Sequence, residues 1–401
     1  MSRAHRAHSQ SSAVALVAAG ALAVSLFGCP GIGRAASASN RPTVRHVRIR
    51  HIWNIVLENE DYATTFGTPT ADPYLARTLP SEGALLENYY ATGHESNDNY
   101  ISLVSGQPPN PQNQADCQIY GDFAGPDEVD GLQSGTGCVY PAGIQTIGSQ
   151  LNAKGKDWKA YEQDMGNDPS REAAACGHPA LNRVDNTQKA EAGDGYATRH
   201  DPFVYFHSVI DSVPYCDEHV VALGSTTGVM PDGARRGETG LATDLERASS
   251  TPSYSFITPN LCADGHDYPC TNTTSGASAL ADIDAFLSAW IPKITASPAY
   301  RQGGLIEITF DESDGAQSDS SSCCGEAPGP ASPLPGITGP GGGRVGAVLL
   351  SPDIRPGTVS TVPYNHYSTL ASDEVLLGLP RLGEARTVSS TFGPDVFTAV
   401  G

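Results

Sequence analysis

Two apolar runs, 52–57 and 305–310, are each followed at once by side chains that bind cations. The first run leads into Glu58 and Asn59, and the second leads into Asp311 and Glu312. Both runs have the length and the β-branched content of buried strands. Ligands collect beyond the carboxyl ends of strands in open α/β sheets, so these side chains can meet at one point. Because buried like charges repel, a cation is the simplest remedy, and the sequence predicts a metal-dependent enzyme.

A serine near the start of a predicted helix is the candidate nucleophile. Ser96 follows a predicted strand and precedes a helix expected from Asn99 to Ser105. Free N–H groups at a helix N-terminus attract anions, and a metal-bound hydroxyl loses its proton more easily. Ser96 can therefore act as an alkoxide nucleophile, or it can simply cap the helix.

Three further places carry histidine beside groups that suit a metal ion or a phosphate. Asp264 and His266 follow another strand end and can ligate one ion, with an Asx turn and a surface histidine as the alternative. His366 lies at the start of the last long helix and is a possible partner for His266. Arg199 and His200 can hold or protonate a phosphate, or lie in a solvated loop.

The elements that must position these side chains alternate between strands and helices. Strands are predicted at 52–57, 84–90, 157–161, 254–257, 305–310 and 344–351. Helices are predicted at 71–83, 144–154, 279–294 and 367–377, whereas 220–223 fits either type. The alternation favours a three-layer α/β/α sandwich. We expect 107–142 and 313–343, rich in glycine, proline and polar residues, to be loop insertions rather than separate domains.

Residues 1–38 are predicted to be an export signal. A basic start and a small, apolar stretch lead to a lipoprotein-like cleavage site at Cys29, and an ordinary site follows at 36–38. A retained N-terminal anchor is the alternative. We expect 39–401 to form a single domain that is secreted or held at the cell envelope, with membrane attachment only through lipid on Cys29.

The remaining eight cysteines are an even number, which in an exported chain suggests disulfides. Neighbouring cysteines pair most simply, although sequence alone leaves the pairing open. These pairs are Cys117 with Cys138, Cys176 with Cys216, Cys262 with Cys270, and Cys323 with Cys324.

The net charge of the 401-residue chain is −20 at pH 7. Such a surface disfavours nucleic acids and anionic membranes as static partners. It does not exclude an anionic substrate, because a metal centre can reverse the local field.

The order of the motifs over about 52–382 resembles the bacterial phosphoesterase family of secreted acid phosphatases and phospholipases C, in the alkaline phosphatase superfamily. Each motif alone is a weak signal, but six in family order are a strong one. They are Glu58-Asn59-Glu60-Asp61-Tyr62, Gly93 to Gly106, Tyr196 to Phe203, Asp264-Gly265-His266-Asp267, Phe310-Asp311-Glu312, and Pro363 to Pro380.

The resemblance implies an alkaline-phosphatase-like fold with long disulfide-tied loops and a role for each candidate residue. Ser96 would be the nucleophile, and Asn99 would help to hold the non-bridging phosphate oxygens. One metal position would be formed by Glu58, Asn59, Asp311 and Glu312. A second would be formed by Asp264, His266 and His366. His200 is the candidate for protonating the leaving group or gripping the phosphate.

The expected reaction is two in-line displacements at phosphorus through a phosphoserine. The ligand set suits Ca²⁺, Mg²⁺ or Mn²⁺, and its histidines leave Zn²⁺ or iron open. We expect a phosphomonoesterase acting on a small-molecule or lipid phosphate ester, with a phospholipase C-like diesterase as the alternative. The oligomeric state stays open.

One departure from the family pattern lies beside the nucleophile. The family usually has proline on both sides of the serine motif, whereas this chain has Glu95 and Asp98. These acids can weaken phosphate binding, shift the pH optimum or tune specificity. They also motivate the alternative of an inactive secreted binding protein. An ordinary serine hydrolase would need a Gly-x-Ser-x-Gly elbow, which Ser96 lacks.

Overall fold

The predicted alternation of strands and helices is present in the structure, a computed structural model that describes residues 47–67, 71–125, 131–270, 278–325 and 328–397. The strands are β1 (His51–Leu57), β2 (Ala84–Leu86), β3 (Tyr89–Tyr90), β4 (Ile119–Tyr120), β5 (Trp158–Glu162), β6 (Arg183–Val184), β7 (Val220–Ala222), β8 (Tyr254–Thr258), β9 (Gly304–Phe310), β10 (Ala347–Leu350), β11 (Thr358–Ser360) and β12 (Tyr364–Asn365). The α-helices are α1 (Tyr62–Phe66), α2 (Leu79–Glu82), α3 (Ser96–Ser105), α4 (Ile147–Ala153), α5 (His207–Ile210), α6 (Val213–His219), α7 (Leu241–Asp244), α8 (Ala279–Ala296), α9 (Pro298–Arg301) and α10 (His366–Leu377).

Eight strands form one mixed sheet in the order β11-β2-β10-β9-β1-β8-β5-β7. The centre of this sheet is parallel, since β1 pairs in parallel with both β8 and β9. Strand β10 is antiparallel to both of its neighbours, β2 and β9. The ends of β1, β8 and β9 therefore point to the same side of the sheet, which we call the carboxyl edge.

The central strands are buried on both faces. Every residue of β9 is buried, and so is every residue of β1 after His51. A strand buried on both faces needs cover on both, as in other parallel sheets. Two groups of helices pack together, α3 with α4 and α10, and α8 with α9 and a π-helical turn at Tyr74–Thr78. The predicted layered α/β fold on a large central sheet is confirmed.

Several predicted boundaries are wrong for local reasons. The predicted helix over 71–83 is broken into the π-helical turn and α2, whose first turn contains Pro80, a residue that cannot donate a backbone hydrogen bond. The predicted strand over 84–90 is two strands, because a turn at residues 87–88 sends β3 into a separate pairing with β12. Helix α3 begins at Ser96, three residues before the predicted start.

All four predicted cysteine pairs are disulfides in the structure. The Cys117–Cys138 bridge ties the 107–142 stretch, which also contains β4 paired with β6. The predicted export signal and Cys29 lie outside the described residues. None of the helices in the described part of the chain combines the length and the apolar composition needed to cross a bilayer.

Candidate active site

The hydroxyl of Ser96 points to the carboxyl edge of the sheet. Its Oγ donates a hydrogen bond to Glu58 Oε2 at 3.0 Å, and Glu58 is the first residue after β1. Ser96 is the first residue of α3, whereas the capping position belongs to Glu95, which makes no side-chain cap. The capping alternative therefore does not describe Ser96, whose hydroxyl lies at the helix N-terminus and is bonded to a carboxylate.

The backbone before Ser96 is held in an uncommon conformation. Glu95 has φ +77°, a region that residues other than glycine rarely adopt and that costs on the order of 1–3 kcal/mol. Two buried side chains brace the turn. Glu312 Oε2 accepts from Glu95 N at 3.0 Å, and Asn99 Nδ2 donates to Glu95 O at 3.2 Å. These contacts fix where the Ser96 hydroxyl points.

Two ring-bearing side chains close around the other oxygen of Glu58. Tyr100 OH donates to Glu58 Oε1 at 2.7 Å, and His200 Nε2 lies 3.2 Å from the same oxygen. The ring of Tyr100 stacks on that of His200 with 4.9 Å between centroids and 1° between planes. Glu58 is thus bonded to Ser96 through one oxygen and contacts this ring pair through the other.

A group that can hold a metal ion includes the Glu58 carboxylate that accepts the hydrogen bond of Ser96. Glu58, His200 and Asp264 are all buried, and each offers one ligand atom within 4.8 Å of the others. His200 Nδ1 lies 3.3 Å from Asp264 Oδ2. Among the described residues, neither ring nitrogen of His200 makes a well-formed hydrogen bond, and Asp264 Oδ2 has no hydrogen-bond partner. Buried polar atoms without partners are costly, and a cation bound to them would remove that cost.

Burial shifts the pKa of all three residues of this group toward their neutral forms. Burial raises the pKa of Glu58 well above its usual range, and the nearby Asp311 and Asp264 carboxylates raise it further. Burial likewise raises the pKa of Asp264. Burial, helped by the positive charge of Arg199, lowers the pKa of His200 and keeps its imidazole neutral. Metal ligands are neutral imidazoles and ionised carboxylates, so His200 is already in its binding form, whereas a bound cation would be needed to keep Glu58 and Asp264 ionised.

Asp311 and Asn59 lie beside Glu58, as expected for neighbouring parallel strands. Asp311 Oδ1 accepts from Asn59 N at 3.1 Å, and Asn59 Nδ2 donates to Glu58 Oε2 at 3.3 Å. The second oxygen of Asp311 is buried and has no hydrogen-bond partner within the described ranges. The structure thus brings Glu58, Asn59 and Asp311 together, and their role as ligands stays a prediction.

Glu312 and His366 lie in this region, but their side chains are bonded elsewhere. Glu312 Oε2 contacts His94 Nδ1 and Glu95 N. His366 Nε2 lies 2.7 Å from the backbone oxygen of Asp311, and its Nδ1 lies 3.0 Å from Tyr89 OH. Burial lowers the pKa of His366 to about 4, so the ring is neutral. In these contacts Glu312 orients the turn before Ser96, and His366 orients Asp311.

His266 lies at the rim of the site between two charged partners. Arg199 Nη2 donates to His266 Nε2 at 3.0 Å, and His266 Nδ1 lies 2.8 Å from Asp267 Oδ1. Its backbone N–H donates to Asp264 Oδ1 at 2.8 Å. The structure therefore places His266 next to Asp264 but with both ring nitrogens engaged.

Asn99 is buried on α3, and its amide is used within the protein. Its Oδ1 accepts from the backbone of Thr92 and Gly93, and its Nδ2 donates to the oxygens of Gly93 and Glu95. In these contacts Asn99 holds the turn before Ser96. Its predicted contact with phosphate stays a prediction.

Sequence reasoning missed three residues of the site. Tyr100 follows Ser96 by one helical turn and must share its face of the helix, a signal that the spacing alone provides. His94 lies in the Gly93 to Gly106 motif, but the motif alone predicts no role for it. Asp116, whose carboxylate contacts Asn97 N and Arg199, has no local signal, because the fold brings it in from the 107–142 stretch.

Known proteins similar to this chain include phosphatases. An acid phosphatase from Aspergillus fumigatus is 26% identical over 356 residues, which are 87% of this chain and 60% of the fungal protein. A phosphatidylinositol-3-phosphatase from Mycobacterium tuberculosis is 25% identical over 376 residues, which are 92% of this chain and 90% of that protein. The chain thus spans about three fifths of the fungal relative.

A solved structure of a protein in the alkaline phosphatase superfamily, from Vibrio parahaemolyticus, gives a TM-score of 0.48 at 13% identity. The match covers 87% of this chain and 72% of that one. A model of the Phosphoesterase family matches residues 70–380, more than half of the sequence. The chain therefore belongs to the Phosphoesterase family.

Proposed function

We propose that this protein hydrolyses phosphoric esters, preferably monoesters, through a phosphoserine on Ser96. The observation that carries the proposal is the hydrogen bond from Ser96 Oγ to Glu58 Oε2 at the carboxyl edge of the sheet. The same carboxylate contacts His200, which in turn contacts Asp264. A hydroxyl bonded to a carboxylate at a helix N-terminus is suited to attack an anionic phosphorus centre.

In the first step a bond forms between Ser96 Oγ and phosphorus as the bond from phosphorus to the alcohol breaks. Glu58 Oε2 takes the proton of Ser96, because it already accepts that hydrogen bond. The departing alcohol takes its proton from solvent, because the neutral ring of His200 would be a ligand of the metal ion and could not also carry that proton.

In the second step water attacks phosphorus, and the bond to Ser96 Oγ breaks. The attacking water gives up a proton to solvent, and Glu58 returns the proton that it holds to Ser96 Oγ. Tyr100 keeps Glu58 and His200 in register, since it donates to Glu58 and stacks on His200. The enzyme thus ends the cycle in the protonation state in which it began.

A divalent ion would be held by Glu58, His200 and Asp264, with Asn59 and Asp311 as further predicted ligands. When bound, such an ion supplies stabilisation of the negative charge that develops on the transferring phosphoryl group. The mixture of carboxylates and one imidazole is compatible with Mg²⁺, Mn²⁺, Ca²⁺ or Zn²⁺.

The proposed substrate is a small-molecule or lipid phosphate monoester. Similarity to a protein named acid phosphatase supports a monoester, and similarity to a protein named phosphatidylinositol-3-phosphatase supports a lipid or inositol phosphate. A phospholipase C-like diesterase is the alternative. Export is proposed from the N-terminal pattern together with four disulfides, which persist in oxidising compartments.

The test compares release of nitrophenol from 4-nitrophenyl phosphate and from bis(4-nitrophenyl) phosphate. We expect the wild type to prefer the monoester, Ser96→Ala to lose release, and acid quenching to trap a phosphoryl group on Ser96. Ser105→Ala is the matched control, because its hydroxyl donates to Ile101 O at the other end of α3. Equal activity of Ser96→Ala and wild type would overturn the phosphoserine route, and a preference for the diester would overturn the monoesterase.

A further inference from the structure

Asp116 extends a carboxylate from the disulfide-tied 107–142 stretch into the active site. Its Oδ1 accepts from Asn97 N at 3.1 Å, and its Oδ2 lies 3.5 Å from Arg199 Nε. Asn97 directly follows the nucleophile Ser96, and Arg199 directly precedes His200. Asp116 thus contacts the residue that follows Ser96 and the residue that precedes His200.

These two donors are of the kind that a phosphate group binds. An N–H group in the first turn of a ten-residue helix attracts anions, and a guanidinium pairs with phosphate oxygens. The side chain of Arg199 is only 1% exposed, so its charge is buried. No well-formed hydrogen bond from its Nε exists within the described part of the chain. Arg199 is therefore a buried cation that Asp116 approaches but does not fully satisfy.

Asp116 is held from outside the central sheet. Its neighbour Cys117 is bridged to Cys138, and its own backbone oxygen accepts from Gln188 Nε2 at 3.1 Å. Its side chain is 15% exposed, unlike the buried side chains of Ser96, Glu58 and His200. A carboxylate on a loop with access to solvent can rotate away when a stronger anion arrives, whereas Arg199 and helix α3 stay in place.

We infer that Asp116 is a specificity-determining residue whose carboxylate occupies the donors of Asn97 and Arg199 and must be displaced when the substrate phosphate binds. This inference rests on the proposed function. The displaced carboxylate stays near the phosphate and repels it. The repulsion is stronger for a dianionic monoester or free phosphate than for a monoanionic diester. Asp116 therefore weakens the binding of the phosphate product. It also reduces the preference of the enzyme for monoesters over diesters.

The opposite role would be that of a positioning residue that holds Arg199 for the substrate. The two roles predict opposite changes when the charge of Asp116 is removed. Loss of a competitor tightens phosphate binding, whereas loss of a support loosens it. Asp116→Asn is the best variant, because Asn tolerates the backbone φ of +53° at this position and keeps an oxygen for Asn97 N.

The experiment is calorimetric titration of inorganic phosphate into the full chain, with metal content matched between variants. We expect Asp116→Asn to bind phosphate about tenfold more tightly, as for removal of one charged competitor. The control is Asp122→Asn, which makes the same charge change on the same stretch, where Asp122 pairs with His207 at 2.9 Å. Phosphate affinity that is unchanged or weaker in Asp116→Asn, or equally raised in Asp122→Asn, overturns the inference.

A second variant and a second measurement guard against a misfolded protein. Asp116→Gly accepts the positive φ without strain and should tighten phosphate binding in the same direction. In Asp116→Asn the ratio of kcat/KM for the monoester over the diester should rise. Phosphate titration needs no turnover, so a failure here is separable from a failure of the Ser96 mechanism, which Ser96→Ala reports on its own.

Discussion

Tyr100 lies flat against His200, with ring centroids 4.9 Å apart, while its hydroxyl donates to the oxygen of Glu58 that also faces His200. One side chain therefore contacts both the carboxylate that accepts the Ser96 hydrogen bond and the imidazole of His200. Tyr100 can do so because it follows Ser96 by four residues and shares its face of α3.

The first prediction concerns the hydroxyl of Tyr100. Tyr100→Phe keeps the stacked ring but removes the donor to Glu58 Oε1, which leaves a buried carboxylate with one hydrogen bond fewer. We expect kcat/KM for 4-nitrophenyl phosphate to fall roughly tenfold, as for loss of one hydrogen bond to a charged group. Steady-state kinetics at fixed metal concentration measures this effect.

Tyr205→Phe is the matched control for that change. Tyr205 is also fully buried, and its hydroxyl has no hydrogen-bond partner within the ranges that the structure covers. We expect its activity to stay within about twofold of wild type, since the change removes no hydrogen bond and keeps the ring in place. Equal losses in both variants would mean that the Tyr100 hydroxyl has no specific role.

The second prediction concerns metal removal. The buried Glu58, His200 and Asp264 group should bind a divalent ion, so dialysis against a chelator should abolish hydrolysis and a divalent ion should restore it. His200→Ala should lower the bound metal measured by elemental analysis of the purified protein. His207→Ala is the control, because that ring is paired with Asp122 and Asp211. Full activity in protein shown to be metal-free would rule out the metal site.

The convergence of Glu58 and Asp311 could be predicted from sequence for a simple reason. Both residues directly follow long apolar strands, and neighbouring parallel strands end at the same edge. The Asn59–Asp311 contact follows from that register. The four disulfides join cysteines that are neighbours along the sequence. Such pairs close only short loops, so they were the simplest pairing to expect, although the sequence alone left the pairing open.

The position of His200 between Glu58 and Asp264 could not be predicted in the same way. His200 lies in a short 3₁₀ turn, Thr198–His200, with no periodic pattern to show which way it faces. The contact of Asp116 with Arg199 could not be predicted either, because only the folded 107–142 stretch brings the two residues together. Asn99 shows a third limit, because the sequence marks it as important but not whether it contacts phosphate or the backbone of residues 92–95.

The third prediction concerns the disulfides. If a disulfide stabilises a protein by restricting its unfolded chain, the stabilisation grows with the length of the loop that the bridge closes. Cys176–Cys216 spans 40 residues, Cys117–Cys138 spans 21, and Cys262–Cys270 spans 8. Replacing each pair by serine should reduce the free energy of unfolding in that order, with about 1.4 kcal/mol between the first and the last. Urea unfolding of the three double variants measures the order, and the reverse order would contradict the entropic account.

The last prediction concerns a pair of buried carboxyls, Glu307 and Asp373, whose roles are separate from the hydrogen bonds of Ser96. Glu307 on β9 is 3% exposed, and Asp373 on α10 is fully buried. Apart from the two carboxyls themselves, no group in the described portion of the chain donates a hydrogen bond to any of their four oxygens. The two carboxyls are within hydrogen-bonding reach of each other, which requires that one of them keeps its proton.

The pH dependence of stability follows from the direction of these shifts. Burial raises the pKa of Glu307 to about 8 and raises the pKa of Asp373 well above its usual range. The folded state therefore holds protons that the unfolded state releases above about pH 4.5, so the free energy of unfolding falls as pH rises from there to about 8. Glu307→Gln removes one of the two titrating groups. The decrease in the free energy of unfolding over this pH range should therefore be smaller by on the order of 1–3 kcal/mol.

Urea unfolding followed by circular dichroism at about pH 5, 6.5 and 8 measures the effect, because these values span the interval between the ordinary pKa of 4.5 and the raised pKa of about 8. Glu246→Gln, at an exposed position, is the control and should leave the pH slope as in wild type. A Glu307→Gln protein with an unchanged slope would show that the pair is ionised in the folded state. In that case a shared proton does not link Glu307 on β9 to Asp373 on α10. A bound cation would then have to balance the two negative charges.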